Sequence, residues 1–215
     1  MNVLIMAAHP DDEILGCAGT IQKLKEREDV EDIYVCIVCE SCTARNRTDI
    51  DRMKECSRKA NTLLGVKEVI FLDYKDQMLD RVPILELNKK IENIVRKTNA
   101  EMVFTHYSKD LNRDHRIVSE ATRVATRPSV KQDIMLFEYE VLSTTELTMD
   151  EIFKPNTYSI ISTGQLYNKG KAFSFYMSER NNMRSTDILI AKAKVRGAEV
   201  SSDLAEAFIM IRGIL

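Results

Sequence analysis

Short apolar runs alternate with amphipathic segments over the first two thirds of the chain. Residues 2–8 form a continuous apolar run, which is typical of a strand that is buried on both faces. In residues 14–28 the apolar side chains instead recur with helical spacing, and charged side chains fill the opposite face. The alternation continues, with strands predicted at 32–39, 66–72, 101–105 and 133–139 and helices predicted at 49–64, 83–98 and 114–126.

This alternation predicts βαβ units with right-handed crossovers. The expected fold class is therefore α/β: a Rossmann-like, three-layer fold with a mostly parallel sheet and helices on both faces. After Glu140 the pattern is weaker, and it predicts one further strand at 157–162 and helices at 165–178 and 187–212. No internal repeat and no linker interrupts the pattern, so residues 1–215 are expected to form a single domain.

Composition and charge argue against several classes of protein: those that coat nucleic acid, span a membrane or are exported. Lys and Arg number 31 and Asp and Glu number 33, so the formal net charge of −2 argues against a protein that coats nucleic acid. No apolar run approaches the roughly 20 residues that a membrane-spanning helix needs, and the apolar N-terminus lacks the basic start of a signal peptide. Five cysteines without an export signal favour reduced thiols and a cytoplasmic location.

Polar side chains are concentrated in the loops that follow the predicted strands. In a parallel α/β sheet, ligands bind at the carboxyl ends of the strands. All three histidines of the chain lie in two of these loops, the first and the fourth. We therefore expect the functional site at this edge of the sheet. The four loops comprise residues 9–13, 40–47, 73–80 and 106–115.

The first loop, His9-Pro10-Asp11-Asp12-Glu13, stands where a dinucleotide-binding fold carries G-x-G-x-x-G. Its carboxylates would repel a pyrophosphate. A tight turn into the helix can aim His9 and Asp12 at one point, and a nitrogen and an oxygen donor of this kind suit Zn²⁺. Because His115 opens the helix after the fourth strand, it can supply a third ligand and leave a fourth position open, as in catalytic zinc sites.

Asp11 is adjacent to these ligands but is not needed as one. A carboxylate in that place can take a proton from zinc-bound water, whose pKa the metal lowers toward about 7. A plainer interpretation of the acidic run is a helix N-cap, because free N–H groups and the helix dipole stabilise negative charge there. Three consecutive acids exceed what capping needs, which favours the catalytic interpretation.

The run Ala8-His9-Pro10-Asp11-Asp12-Glu13 and the run Asp110-Leu111-Asn112-Arg113-Asp114-His115-Arg116 form a specific pair of motifs. They resemble the two metal motifs of the PIG-L/LmbE-like superfamily of zinc-dependent N-acetylglucosaminyl deacetylases. The resemblance extends over nearly the whole chain. Further matching segments are Arg52-Met53-Lys54-Glu55, residues 73–79 with Asp76, Arg196-Gly197, and Ala205-Glu206-Ala207-Phe208 in what is a C-terminal helix of the family.

The resemblance implies a hydrolase that removes the N-acetyl group from a small amino sugar or its conjugate. It implies that His9, Asp12 and His115 hold one Zn²⁺, or Fe²⁺, which accepts the same ligands. Asp11 is then the general base, and Asp114 is expected to orient a histidine ligand. Members often self-associate, so a homo-oligomer is a further expectation. Substrate contacts are expected from Arg52, Asp76, Asp110 and Arg184.

Two departures from the family pattern leave questions open. Many members have a histidine that polarises the oxyanion at the position of Asn112, and His106, just upstream, is a candidate replacement. Both residues therefore remain candidates for stabilising the oxyanion. Near the C-terminus, Asn181-Asn182-Met183-Arg184-Ser185 replaces the usual Pro-His-Pro-Arg-Ser, which keeps the arginine and loses the histidine.

The cysteines offer a second candidate metal motif. Cys36, Cys39 and Cys42 form C-x-x-C-x-x-C, but the first two are three apart on a predicted strand and are expected on opposite faces. Buried thiols are therefore favoured over a cysteine metal site. Two alternative functions stay open, namely a metal-dependent amidase with a non-acetyl substrate and a non-enzymatic module that binds a sugar or a nucleotide.

Overall fold

The computed structural model describes residues 1–46, 48–131, 133–148, 151–176 and 181–214. Five parallel strands form most of its sheet, and the helices between them are those that the alternating pattern predicts. In chain order these elements are β1 (Asn2–Ala7), α1 (Asp12–Lys25), β2 (Asp32–Cys39), α2 (Ile50–Leu63), β3 (Glu68–Tyr74), α3 (Ile84–Lys97), β4 (Ala100–His106), α4 (Arg113–Ala125) and β5 (Met135–Tyr139).

The C-terminal part of the described chain adds two antiparallel strands. It consists of β6 (Thr157–Ile160), α5 (Thr163–Phe173), α6 (Thr186–Ala198) and β7 (Ala205–Arg212), and the strand order of the sheet is β3-β2-β1-β4-β5-β7-β6. The prediction of a helix over 187–212 is therefore wrong beyond Ala198, and the segment Ala205–Phe208 lies in a strand. Residues 177 and 178 of the helix predicted at 165–178 lie outside the described residues, and α5 ends at Phe173.

Apolar side chains on the two faces of the sheet form two separate cores. Alternate residues of β1 point to opposite faces, so that Val3 and Ile5 pack with α1, α2 and α5, whereas Leu4 and Met6 pack with α3 and α4. The prediction of three layers, with helices on both faces of a mostly parallel sheet, is confirmed. No helix among the described residues combines the length and the apolar character that crossing a membrane requires.

Four of the five cysteines are buried and Cys56 is half-buried, but one detail of their arrangement differs from the prediction. Cys36 and Cys39 both pack in the core beneath α3 and α4. The pairing of β2 with β3 shifts register between Ile37 and Cys39, so the strict two-residue alternation does not hold there. The expectation that the two thiols occupy opposite faces is therefore wrong. The shift brings the Cys39 thiol to 3.7 Å from a carboxylate oxygen of Asp114.

Candidate metal and active site

The loops after β1 and β4 meet at the carboxyl edge of the sheet because these two strands are neighbours. Oδ2 of Asp12 lies 3.4 Å from Nδ1 of His9 and 3.2 Å from Nε2 of His115. The donor atoms of the three residues all lie within 4.8 Å of one another, and all three side chains are buried. The structure thus brings together the three metal ligands that the sequence suggested, from positions more than 100 residues apart in the chain.

Two carboxylates hold the far side of the His9 ring. Nε2 of His9 is 3.1 Å from Oδ2 of Asp114 and 3.1 Å from Oδ1 of Asp76. This leaves Nδ1 as the nitrogen that faces Asp12. Burial raises the pKa of Asp114, but the hydrogen bond and charge of His9 together with the N–H groups of Gln77 and Leu79 outweigh it, so that the net pKa lies below the ordinary value. Asp114 therefore stays ionised and fixes the orientation of His9.

Asp110 does the same for His115. Its Oδ1 lies 3.2 Å from Nδ1 of His115, while its Oδ2 accepts the hydroxyl groups of Thr144 and Thr145. Burial lowers the pKa of His115, but the negative charge of Asp12 and the contact with Asp110 raise it overall. Both ring nitrogens of His115 are buried without a hydrogen bond among the described residues: Nδ1 makes the ionic contact with Asp110, and Nε2 faces Asp12. An unpaired buried nitrogen that faces a carboxylate and a second imidazole fits a metal ion.

Asp11 occupies the N-cap position of α1, yet its side chain makes no capping hydrogen bond. Its Oδ2 instead accepts a hydrogen bond of 2.9 Å from Nη1 of Arg184. Burial raises the pKa of Asp11 to about 7, and the positive charge of Arg184 opposes that rise. The backbone of Asp11 has a φ of 104°, a conformation that residues other than glycine rarely adopt. The simple N-cap interpretation therefore does not describe this carboxylate.

A cavity of about 110 Å³ opens beside the candidate metal ligands. Arg184 closes one side of it, because Nε of its guanidinium donates to the Ser143 hydroxyl at 2.6 Å while Nη1 holds Asp11. Its polar wall includes Ser41, Asp76, Gln77, Asn112 and Arg184.

The four expected substrate contacts occupy different environments. Asp76 and Arg184 line the cavity. Asp110 is buried against His115 and is not part of the cavity wall. Arg52 is exposed near the start of α2 and is not one of the described residues that line the cavity. The structure therefore brings two of the four residues to the cavity.

The two oxyanion candidates also differ in their surroundings. His106 is fully buried, its ring stacks on His115 with centroids 4.0 Å apart, and its Nε2 accepts the N–H of Ala8 at 2.8 Å. Burial lowers the pKa of His106 well below the ordinary value, and the charge of His115 adds to that effect. Asn112 caps α4 by accepting the Asp114 N–H at 2.9 Å through Oδ1, and it lies on the cavity wall.

Sequence reasoning assigned no role to Glu13 or Glu40. The Glu40 carboxylate accepts the N–H groups of Cys42, Thr43 and Asp76, and so it ties the loop after β2 to the loop after β3. Glu13 is fully buried behind Asp11. The sequence could have indicated that Glu13 is buried, because Glu13 is four residues before the buried Cys17 and so lies on the apolar side of α1.

The N-terminal part of the chain is similar to a known protein family. Residues 4–126 match the family described as GlcNAc-PI de-N-acetylase, which is more than half of the chain. The chain belongs to this family. The resemblance that the sequence motifs suggested is therefore confirmed.

Two relatives agree with this membership. An uncharacterized deacetylase, YaiS, of Escherichia coli K12 is 30% identical over 71% of this chain and 80% of its own length. A probable N-acetyl-alpha-D-glucosaminyl L-malate deacetylase 2 of Bacillus anthracis is 31% identical over 61% of this chain and 62% of its own.

Two solved structures share the fold. The conserved protein TT1542 of Thermus thermophilus has a TM-score of 0.82 at 22% identity, covering 99% of this chain and 95% of that one. N,N'-diacetylchitobiose deacetylase of Pyrococcus horikoshii has a TM-score of 0.76 at 21% identity, covering 98% and 83%. At these identities the likeness establishes the architecture, whereas function must be argued from the site.

Proposed function

We propose that this protein is a metal-dependent hydrolase that removes the N-acetyl group from a small amino sugar or its conjugate. The observation that carries the proposal is the convergence of donor atoms from His9, Asp12 and His115 within 4.8 Å of one another, beside a cavity that Asp11 also lines. Membership of a de-N-acetylase family supports the reaction, and the relative named for an N-acetylglucosaminyl substrate supports the substrate class.

In this proposal His9 holds the metal through Nδ1, Asp12 through Oδ2 and His115 through Nε2. Two nitrogens and one oxygen suit Zn²⁺ and also Fe²⁺, and three protein ligands leave room for water or substrate. When bound, such an ion lowers the pKa of water and polarises a carbonyl group. Asp114 and Asp110 orient the two imidazole rings from behind, so we assign Asp110 a positioning role in place of the expected substrate contact.

Asp11 acts as the general base. Since Arg184 binds its Oδ2, the proton of the attacking water passes to Oδ1. The water oxygen forms a bond to the acetyl carbon. The protonated Asp11 then delivers that proton to the amide nitrogen as the C–N bond breaks. The products are acetate and the free amino sugar.

Asn112 is the better candidate to stabilise the developing oxyanion. Its Oδ1 is engaged in the α4 cap, which leaves the Nδ2 amide group as a donor at the cavity wall. His106 lies beneath His115 with its Nε2 already bonded to the Ala8 N–H. We therefore propose that His106 supports the His115 ring by stacking and does not touch the substrate.

Metal content and turnover in three variants test the proposal. Protein purified without a histidine tag is expected to hold about one zinc or iron per chain, and His115→Ala is expected to lose it. Asp11→Ala should keep the metal and lose turnover of N-acetyl sugars by at least about 100-fold, measured as free amine. Asp80→Ala, which removes an exposed carboxylate paired with Arg113, serves as the matched control.

The outcomes separate the alternatives. Wild-type protein that binds no metal even after zinc is supplied would leave only the sugar- or nucleotide-binding module. Metal binding with a preference for formyl or longer acyl amides over acetyl would favour the other amidase. Full activity in Asp11→Ala would refute the assignment of the base.

A further inference from the structure

Glu13 is a buried carboxylate for which the proposed chemistry has no use. It lies behind the loop that follows β1, and it accepts hydrogen bonds from three separate segments. Its Oε2 accepts the backbone N–H of Asp11 at 3.2 Å. Its Oε1 accepts Nδ2 of Asn61 at 2.7 Å and the hydroxyl of Tyr176 at 3.2 Å. A buried carboxylate is costly unless such donors surround it, so this cluster calls for a functional explanation.

The backbone of Asp11 needs outside support. Its φ of 104° is a conformation that L residues hold only where the surroundings impose it. The Asp11 carbonyl accepts the N–H groups of Ile14 and Leu15, at 3.0 and 2.9 Å. Its own N–H points the other way, to Glu13. The residue is thus held from both sides while its carboxylate faces Arg184 and the cavity.

We propose that Glu13 is a positioning residue for the general base. By accepting the Asp11 N–H, it keeps the unusual backbone conformation that aims the Asp11 carboxylate into the cavity. Asn61 and Tyr176 in turn hold Glu13 in place. The functional part of this inference rests on the proposed deacetylase activity, whereas the structural part concerns the Asp11 backbone alone.

Glu13→Leu isolates this role because Leu is close to Glu in size and cannot accept a hydrogen bond. Asn61 Nδ2 keeps the Ser57 carbonyl as a partner, and the Tyr176 hydroxyl keeps the Ser57 hydroxyl. Among the hydrogen bonds to Glu13, only that of Asp11 is therefore left without a described alternative. The unpaired Asp11 N–H costs stability, so the variant is expected to stay folded at the assay temperature and to melt about 2–12 °C below wild type.

Glu13→Gln is the conservative variant, which should restore the hydrogen bond to the Asp11 N–H and with it the activity. Its Oε1 can accept the Asp11 N–H while its amide group donates to Oδ1 of Asn61. That oxygen is buried and has no other partner among the described residues, so turning the Asn61 amide satisfies both groups. Glu86→Leu is the matched control, because Glu86 also accepts a tyrosine hydroxyl, that of Tyr74, but is exposed on α3.

Three readouts decide the proposal: solvent exchange of the Asp11 amide by NMR, metal content, and kcat and KM on an N-acetyl amino sugar. In Glu13→Leu we expect exchange at least about tenfold faster and kcat about 10–100-fold lower, as for the loss of a hydrogen bond to a charged group. Metal content and KM should stay within about twofold. Glu13→Gln and Glu86→Leu should remain within about threefold of wild type on every readout.

Unchanged exchange of the Asp11 amide in Glu13→Leu would overturn the proposal, and so would a fall in kcat without faster exchange. Loss of metal along with kcat would also overturn it, because Glu13 would then support the ligands and not the base. If wild type hydrolyses no N-acetyl sugar, the proposed function fails. The exchange measurement alone would then still decide whether Glu13 holds the Asp11 backbone.

Discussion

Replacing Asp114 by Asn tests how much the carboxylate behind His9 contributes to metal binding. Both oxygens of Asp114 face donors: Oδ2 meets Nε2 of His9 at 3.1 Å and the Gln77 N–H at 2.8 Å, and Oδ1 meets the Leu79 N–H at 3.3 Å. An amide at this position must turn its NH₂ group toward one of them. The longest contact, that with Leu79, is the least costly to lose, so His9 should keep an acceptor that is no longer charged.

The size of the effect follows from these contacts. A hydrogen bond to a charged group contributes about 1.5–3 kcal/mol and a neutral one about 0.5–1.5 kcal/mol, so His9 loses about 1–1.5 kcal/mol of support. Since 1.4 kcal/mol is tenfold, metal affinity should fall about tenfold, at the lower end of what loss of such a partner typically costs. The unpaired Leu79 N–H adds about 1–3 kcal/mol to the cost of folding, with or without metal.

The assay is a competition between the apoprotein and a chromophoric chelator for Zn²⁺. Asp114→Asn should raise the dissociation constant about tenfold, whereas Asp80→Asn, which weakens only the exposed pair with Arg113, should change it less than about twofold. A folded Asp114→Asn protein that binds zinc as tightly as wild type would refute the reasoning. The orientation of His9 would then come from Asp76 or from packing.

Two further predictions concern stability. Lys169→Met leaves Glu206 buried without the 2.6 Å ion pair, although Gly19 and Thr20 still donate to it. The free energy of unfolding should fall by about 3 kcal/mol, or about 6–12 °C in Tm, and an unchanged Tm would contradict this. Gly16→Ala would place a Cβ 2.3 Å from the buried Tyr139 ring, so overpacking should outweigh the helix propensity gained and cost about 1–3 kcal/mol by thermal denaturation. The matched Gly170→Ala, where the new Cβ meets its nearest atom only at 3.4 Å, should be neutral or stabilising.

Local periodicity in the sequence was enough to predict the five parallel strands and the helices between them. Each strand is an apolar run and each helix carries an apolar stripe, and these patterns are set by side-chain geometry within a few residues. The candidate metal ligands were predictable for a related reason. The carboxyl ends of parallel strands share one edge of the sheet. Since β1 and β4 are neighbours, His9, Asp12 and His115 necessarily lie near one another.

The segment Ala205–Arg212 shows where local pattern fails. The segment follows α6 and contains residues that are compatible with a helix, so local pattern predicts that the helix continues to Arg212. In the folded chain it pairs with β5 and β6, and its Glu206 is buried against Lys169. Hydrogen bonds from neighbouring strands and a buried ion pair outweigh local propensity here, and nothing within the segment itself encodes them.

The roles of the acidic residues were likewise decided only by the tertiary structure. The family resemblance predicted that Asp114 orients a histidine, but the sequence could not say which one, nor that Asp110 faces His115. It also could not show that Glu13 faces the Asp11 backbone, because Asn61 and Tyr176, which hold Glu13 in place, come from distant parts of the chain. Asp110 faces His115, Asp114 faces His9, and Glu13 faces the Asp11 backbone. Arg184 meets Asp11 across 173 residues of chain. The sequence by itself thus determined the chemistry available at this edge of the sheet. The folded structure decided what each group contacts, through turn geometry for Asp110 and Glu13 and through the packing of distant segments for Asp114 and Arg184.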